Sequence, residues 1–122
     1  MVMPEKGKAA FELSAEVVDG ATVVHVTGEI DLATSERLSD ELSLAAANGG
    51  PVVVDLTECG FIDSSGIRAL LVGTRAAEEH DGRLLLAGAS PHVRRVLELT
   101  GLGEAVPMHP GVDEALRDLA AD

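Results

Sequence analysis

The fold is decided by residues 52–66, whose sequence is VVVDLTECGFIDSSG. Residues 52–56 are mostly apolar, and such a short apolar run is typical of a central strand that is covered on at least one face. We expect a loop over residues 57–66 and then a helix, because apolar residues recur at helical spacing beyond it. The helix ends near Asp81-Gly82. Its inward-facing residues are predicted to be Ile67, Leu70, Leu71 and Ala77.

A β-hairpin is predicted on the amino-terminal side of this segment. Apolar and polar residues alternate from Phe11 to Val17, and a period of two is typical of a half-buried strand. The pair Asp19-Gly20 favours a hairpin turn, because both residues adopt a positive φ at low cost. The return strand then extends from about Thr22 to Ile30. Its apolar face carries Val24, Val26 and Ile30, and its polar face carries His25, Thr27 and Glu29.

Helices and short strands alternate through the rest of the chain. A helix from about Thr34 to Asn48 is ended by Gly49-Gly50, and a strand follows at residues 84–86. Ser90-Pro91 favours a helix start, with serine as the cap and proline in the first helical position. Its inner face is predicted to carry Val93, Val96, Leu97 and Thr100. A short edge strand at Ala105-Val106 precedes the last helix, whose inner residues are Val112, Ala115, Leu116 and Leu119.

The resulting order, β-β-α-β-α-β-α-β-α, predicts the α/β fold class. Strands that are separated by helices of this length pair in parallel through right-handed crossovers. We therefore expect a mixed sheet with an N-terminal hairpin at one side, followed by β-α units whose helices pack on the sheet. The length of 122 residues fits one domain, which we assign to residues 10–122. Residues 1–9 are polar and unpatterned, so we expect a flexible tail there.

The charge balance of the chain limits its partners. It has 9 Lys and Arg residues against 21 Asp and Glu residues, for a net charge of −12. Such a surface repels phosphate backbones and anionic lipids, so no direct nucleic-acid binding and no membrane binding are expected. A protein partner with a basic face fits better. No signal peptide and no apolar run of membrane-spanning length are visible, which predicts a cytoplasmic protein.

Patterns for catalysis, metals and cofactors are missing from the sequence. Cys59 is the only cysteine, and the four histidines have no metal-ligand spacing on one helix, so no metal site is expected. A hydrolase elbow needs Gly-x-Ser-x-Gly, but Ile62 stands in the first glycine position relative to Ser64. No glycine-rich phosphate-binding loop is present either. We therefore predict no catalytic residue, no cofactor and no enzyme activity.

The predicted loop places two hydroxyl groups at the start of a helix. Ser64 and Ser65 follow the acidic residue Asp63. Free N–H groups and the helix dipole stabilise negative charge at such a position, so it is a well-placed acceptor for a phosphoryl group. The alternative is that Asp63, Ser64 or Ser65 simply caps the helix, which is a common use of these residue types. Spacing alone leaves both interpretations open.

Three segments resemble one bacterial family. Residues 28–31 are Gly-Glu-Ile-Asp, and residues 61–66 are Phe-Ile-Asp-Ser-Ser-Gly. Together they are similar to the anti-sigma factor antagonists, which are single-domain proteins of the sulfate transporter and anti-sigma antagonist (STAS) class. Ser90-Pro91 and the helix behind it, with Gly101-Leu102 at its end, also match. The resemblance covers residues 11–120, nearly the whole chain.

The resemblance implies a regulatory function. Such proteins bind an anti-sigma factor that is also a serine kinase with a histidine-kinase-like ATPase fold, and they thereby release a sigma factor to activate transcription. The kinase phosphorylates the first serine of the motif, here Ser64, which ends binding, and a serine phosphatase restores it. The implied partner-binding residues are Asp31, Asp63, Ser64, Ser65 and Gly66, and we expect the contact face to include the adjoining surface of the same helix around Arg68. The alternative is a STAS accessory or scaffold subunit of a signalling complex or of a membrane transporter.

The charges around Ser64 suggest how a phosphate acts. Phosphorylation adds about −1.5 to −2 charges. Glu29, Asp31 and Asp63 are expected to make this corner negative already, with no compensating cation nearby. An interface over Ser64 must then desolvate a dianion beside carboxylates. Our hypothesis is that the phosphate acts by repulsion and desolvation at the contact, without refolding the domain.

Overall fold

The chain begins with the hairpin that the sequence predicts. A computed structural model describes residues 10–121, so the expected flexible tail at residues 1–9 lies outside the described residues, as does Asp122. Strand β1 (Glu12–Val18) pairs antiparallel with β2 (Ala21–Ile30). The turn residues Asp19 and Gly20 have φ values of 52° and 83°. Positive φ at both central positions is what a two-residue hairpin turn requires, and the hairpin prediction is confirmed.

Helices and parallel strands follow the hairpin. They are α1 (Ser35–Ala47), β3 (Val52–Ile62), α2 (Ser64–Glu79), β4 (Leu84–Ala87), α3 (Pro91–Leu99), α4 (Leu102–Ala105), β5 (Met108–His109) and α5 (Val112–Ala120). The five strands form one sheet in the order β1-β2-β3-β4-β5, and β2 to β5 are mutually parallel. The predicted α/β class with a mixed sheet is confirmed. None of the helices within residues 10–121 is long and apolar enough to cross a membrane.

The helices divide unequally between the two faces of the sheet. Each parallel strand is added on the same side of the previous one, so right-handed crossovers place α1, α2 and α3 on one face. The larger core lies there, with Leu38, Leu70 and Leu97 from the three helices fully buried. Helix α5 follows the last strand and packs Ala115 on the opposite face. The predicted inner residues of the last helix, Val112, Ala115, Leu116 and Leu119, are confirmed as this second core.

Strand β3 is longer than the sequence analysis predicted. Residues 57–62 were expected to be a loop, but they continue the strand and pair with β2 as far as Ile62. The pairing contains two register shifts, one between His25 and Thr27 and one between Gly28 and Glu29. Such bulges interrupt the alternation of buried and exposed residues, and Thr57 and Glu58 are both exposed. The loss of alternation explains why the pattern predicted a loop.

The segment after α3 also differs from the prediction. The expected edge strand at Ala105-Val106 is wrong, since residues 102–105 form α4 and the edge strand is Met108–His109. Gly101, with a φ of 78°, redirects the chain into this short helix. Pairing with β4 begins at the Pro107 carbonyl, which accepts a hydrogen bond from the Leu86 N–H at 2.9 Å.

Three further side chains, Ala15, Val17 and Thr100, do not face inward as predicted. Thr100 is exposed, and its hydroxyl donates to the Val96 carbonyl at 3.0 Å. Phe11, just before β1, and Leu13 pack against the larger core, but Val17 is 70% exposed. Strand β1 is an edge strand, and Val17 lies beyond the part of it that packs against the larger core.

Candidate functional site

Strands β2 and β3 end side by side and bring two acidic residues to the same edge of the sheet. Ile30 is paired with Ile62, and the Asp63 N–H donates to the Ile30 carbonyl at 3.2 Å. Asp31 and Asp63 are therefore the next residues of neighbouring strands, whose backbones lie about 5 Å apart. The carboxyl ends of parallel strands are the usual location of sites in α/β folds.

Asp63 is the residue that caps α2. Its Oδ1 accepts hydrogen bonds from the Ser65 N–H at 2.9 Å and from the Gly66 N–H at 3.2 Å. Its carbonyl oxygen accepts the first helical bond, from the Ile67 N–H at 3.0 Å. The sequence left open which of Asp63, Ser64 and Ser65 caps the helix. The structure assigns the cap to Asp63.

Ser64 is left without a structural role. It is the first residue of α2 and is exposed, whereas Ser65 is half-buried. Within residues 10–121, no group accepts a hydrogen bond from the Ser64 hydroxyl or donates one to it. The hydroxyl is therefore open to an external group, at a helix start where negative charge is favoured.

Gly66 lies beneath this surface. It is buried, and a Cβ at this position would lie 2.5 Å from Ile62 Cγ1 and 2.8 Å from Ile30 Cγ2. Only glycine lets the first turn of α2 approach the ends of β2 and β3 so closely. Its contribution to the site is thus to position Ser64.

The turn after β2 is held by hydrogen bonds of its own residues. Asp31 Oδ1 accepts from the Ala33 N–H at 3.0 Å, and the Asp31 N–H donates to Thr34 Oγ1 at 2.9 Å. The Thr34 hydroxyl in turn donates to the Glu29 carbonyl at 2.8 Å. This arrangement leaves the Leu32 side chain 81% exposed beside Asp31. Leu32 was not predicted as a site residue, although an apolar residue within a polar turn was a visible signal.

One exposed line of residues continues from Ser64 along α2, and we call it the α2 stripe. It consists of Ser64, Arg68, Val72 and Arg75, which are all exposed. Their spacing of four, four and three residues places them on one helix face.

An aromatic contact that was not predicted from the sequence lies next to the start of α2. The Phe61 ring stacks on the His92 ring, and the ring centres are 6.3 Å apart. Phe61 is 39% exposed, so this edge of the sheet presents apolar as well as charged groups.

A charged cluster lies on the other face of the sheet, away from the helices α1, α2 and α3. His25 Nδ1 lies 2.6 Å from Asp55 Oδ2, and His25 Nε2 lies 2.9 Å from Glu16 Oε2. Partial burial lowers the pKa of His25, but hydrogen bonds to Asp55 and Glu16 outweigh it, so the pKa is raised. Two carboxylate acceptors require two N–H donors, which the protonated imidazole supplies. The cluster joins β1, β2 and β3.

The remaining candidate groups are structural. Cys59 is buried, and burial raises the pKa of its thiol, which opposes formation of the reactive thiolate. Cys59 packs within the larger core as a small apolar residue. No group of three or more His, Cys, Asp and Glu side chains in residues 10–121 is arranged to hold a metal ion.

Comparison with known proteins identifies the class. The family model described as "Mlab, STAS domain" matches residues 14–110. The anti-sigma-B factor antagonist of Staphylococcus aureus (strain NCTC 8325 / PS 47) is 32% identical over 92 residues, which are 74% of this chain and 84% of the relative. The solved structure of an anti-sigma factor antagonist from Mycobacterium paratuberculosis has a TM-score of 0.81 and 30% identity, and the match covers 89% and 93% of the two chains.

A further solved relative is known in two phosphorylation states. The anti-sigma factor antagonist SpoIIAA in its unphosphorylated form has a TM-score of 0.75 and 30% identity, over 93% of this chain and 98% of its own. The phosphorylated form of Bacillus SpoIIAA has a TM-score of 0.66 and 29% identity, over 90% and 99% of the two chains. The chain belongs to the STAS-domain family of anti-sigma factor antagonists.

Proposed function

We propose that the protein binds an anti-sigma factor while Ser64 carries no phosphate, and so releases a sigma factor to activate transcription. The anti-sigma factor is a serine kinase with a histidine-kinase-like ATPase fold, as the family resemblance implies. The observation that carries this proposal is the exposed Ser64 hydroxyl, which has no hydrogen-bond partner in residues 10–121 because Asp63 caps the helix. The protein is then a substrate of the kinase and a binding partner, not an enzyme.

Accessibility favours Ser64 over its neighbour as the phosphoacceptor. A kinase must bring the serine oxygen within bonding distance of the γ-phosphate of ATP. The Ser64 hydroxyl is exposed at the first position of α2, whereas Ser65 is half-buried. Phosphorylation of Ser64 breaks no hydrogen bond of the described structure.

The proposed partner surface combines charged and apolar groups around Ser64. It includes Asp31, Asp63, Ser65 and Arg68, with Gly66 supporting the helix start from beneath. Leu32 adds an apolar anchor beside Asp31, since its side chain is 81% exposed. Full burial of a leucine side chain in an interface is worth about 1.5–3 kcal/mol. This surface therefore offers a hydrophobic contact next to the phosphorylation site.

Phosphorylation of Ser64 is proposed to end binding at this surface. The phosphate adds about −1.5 to −2 charges, which an interface must desolvate close to Asp31 and Asp63. A loss of about 3 kcal/mol lowers affinity by more than about a hundredfold. Because Ser64 is exposed and its hydroxyl makes no hydrogen bond within residues 10–121, we expect the fold to stay intact. A serine phosphatase then restores the binding form.

The test is capture from the native host with tagged full-length protein, followed by mass spectrometry of the bait and the captured proteins. We expect the wild type to recover a serine kinase with a histidine-kinase-like ATPase fold, and Ser64→Glu to lose it. Ser14→Glu is the matched control. Ser14 is exposed on β1 and is paired with His25, on the face of the sheet opposite α2. Equal capture by Ser64→Glu and wild type would overturn the proposal. Capture of transporter or scaffold subunits by both baits would favour the accessory-subunit alternative instead.

A further inference from the structure

Arg68 lies one helical turn beyond Ser64 on the exposed face of α2. The helix is continuous over Ser64–Glu79, and both side chains are exposed. Residues four apart on a helix are neighbours, with Cβ atoms about 5–6 Å apart. An anion on the amino-terminal residue and a cation four residues later is the favourable orientation of such a pair. A phosphate on Ser64 therefore has a guanidinium within reach, contrary to the expectation that no compensating cation lies nearby.

Arg68 has no competing partner among the described residues. No hydrogen bond or ion pair engages its guanidinium within residues 10–121. Its helical neighbours at three and four residues in either direction are Ser64, Ser65, Leu71 and Val72, none of which is acidic. The nearby Asp63 carboxylate accepts hydrogen bonds from the Ser65 and Gly66 N–H groups. The guanidinium is thus unpaired until an anion is introduced beside it.

Two other arginines of the helical face are engaged, and the second arginine of α2 is too distant. Arg94 Nε lies 3.3 Å from Glu98 Oε1, and the Arg37 guanidinium lies 5.0 Å from the centre of the Phe11 ring. Arg75 is exposed on the same stripe, but its Cα lies about 16 Å along the helix axis from that of Ser64. Arg68 is therefore the arginine of α2 that reaches a group on Ser64.

We propose that the phosphate on Ser64 pairs with Arg68 and so withdraws this cation from the partner surface. This inference rests on the proposed phosphorylation of Ser64. Transfer of the γ-phosphoryl group of ATP forms the bond between phosphorus and Ser64 Oγ, breaks the phosphoanhydride bond with release of ADP, and releases the hydroxyl proton. The planar guanidinium donates two parallel N–H groups to phosphate oxygens, a geometry that lysine does not offer.

The pairing changes how the switch works. Before phosphorylation, the partner meets a neutral hydroxyl and an unpaired cation on the first two turns of α2. After phosphorylation, it meets an ion pair with an excess of negative charge, and Arg68 is no longer available to an acidic group of the partner. The partner thus loses an attraction at the same position at which it gains a repulsion.

The test uses full-length protein with phosphoserine installed at position 64 by genetic encoding, so that no kinase is needed. Phosphorus NMR follows the second ionisation of the phosphate in this protein and in its Arg68→Gln and Arg75→Gln variants. We expect a phosphate pKa about 0.3 lower in the wild type and in Arg75→Gln than in Arg68→Gln. The difference should disappear in about 1 M NaCl, where surface charges are screened.

Equal phosphate pKa values in all three proteins would overturn the pairing. Circular dichroism checks that each variant is folded, which we expect because both arginines are exposed. The result is independent of the proposed function, because the phosphate is installed without the kinase. Failure to capture the anti-sigma factor would refute the proposed function and leave the pairing of Ser64 phosphate with Arg68 intact. Equal phosphate pKa values in the wild type and Arg68→Gln would refute the pairing and leave the proposed function intact.

Discussion

Two strand-to-helix junctions at the same edge of the sheet use serine in opposite ways. At the junction of β4 and α3, Ser90 is itself the cap, and its Oγ accepts a hydrogen bond from the Val93 N–H at 3.3 Å. At the junction of β3 and α2, the preceding Asp63 is the cap, and Ser64 stands exposed in the first helical position. A serine at a helix start is thus structural when it caps and available when an acidic residue caps in its place.

The largest expected effect distinguishes the exposed Ser64, the proposed phosphoacceptor, from Ser90, which caps α3. Ser64→Ala should abolish phosphate incorporation by the purified kinase and change the free energy of unfolding by less than about 0.5 kcal/mol. Ser90→Ala should be phosphorylated normally and lose about 0.5–1 kcal/mol of stability, the usual cost of a lost cap. Mass spectrometry of the phosphorylated protein and urea denaturation measure the two quantities. Undiminished phosphorylation of Ser64→Ala would show that the exposed serine is not the acceptor.

The second prediction concerns the close packing that positions Ser64. Gly66→Ala should lower the free energy of unfolding by about 2 kcal/mol, since the added methyl group overpacks the contact with Ile62 and Ile30. Gly60→Ala is the matched control, because a Cβ there has nothing within 4 Å and its φ is not positive. Urea denaturation should show a change for Gly66→Ala alone. Equal stability of the two variants would mean that α2 adjusts its position without cost.

The contrast between the junctions also shows what the sequence could predict. Ser90-Pro91 identified its helix start correctly, because a cap followed by proline is a strong local signal. The sequence could not decide among Asp63, Ser64 and Ser65, since all three residue types cap helices. Only the backbone geometry makes Asp63 the acceptor. The motif therefore located the candidate site, but the three-dimensional structure was needed to show which hydroxyl is unengaged.

The strands and contacts that were predicted wrongly or not at all have physical causes in the structure. Strand β3 was cut short at Leu56 because the register shifts against β2 remove the alternation that marks a strand. The last strand was displaced because its two residues, Met108–His109, are too few to show any period. The stacking of Phe61 on His92 depends on a contact between distant segments. Local patterns predict elements well and contacts between elements poorly.

The third prediction compares the caps directly. Asp63→Ala should cost about 1.5 kcal/mol, more than Ser90→Ala, because two N–H groups and the favourable interaction of a carboxylate with the helix dipole are lost. Asp63→Asn is the control that keeps the acceptor oxygen and removes the charge, and it should retain most of the stability. Urea denaturation of the three variants measures these differences. A smaller cost for Asp63→Ala than for Ser90→Ala would contradict the capping geometry.

The smallest expected effect lies far from both junctions, in the cluster of Glu16, His25 and Asp55. The pKa of Asp55 is lowered, because hydrogen bonds from Thr57 and His25 outweigh the effect of burial, which raises it. Its contribution to stability is present above the ordinary pKa of 3.8 and is lost only as the pH falls through the lower folded value. Measurements above about pH 5.5 therefore report on His25 and not on this carboxyl group.

The contribution of His25 to stability depends on pH in the opposite direction from that of Asp55. Its pKa is raised above the ordinary value of 6.5, so its stabilising contribution is fully present below that value and is lost as the pH rises through the folded pKa. The difference in unfolding free energy between the wild type and His25→Gln should be about 0.5 kcal/mol near pH 6, a value typical of exposed ion pairs, and should vanish by about pH 9. Urea denaturation across this range measures it.

His80→Gln is the control, because among residues 10–121 the exposed His80 ring bonds to the Ala76 carbonyl of its own helix and to no carboxylate. Any pH-dependent change that His80→Gln shares with His25→Gln is not specific to the cluster of Glu16, His25 and Asp55. A His25→Gln difference that grew with pH would contradict the assignment of a protonated imidazole between two carboxylates. Since the cluster lies on the face opposite α2, phosphorylation of Ser64 should be equal in the wild type and in His25→Gln. An altered phosphorylation rate would show that the two faces of the sheet are coupled, and that the properties of the junctions are not local.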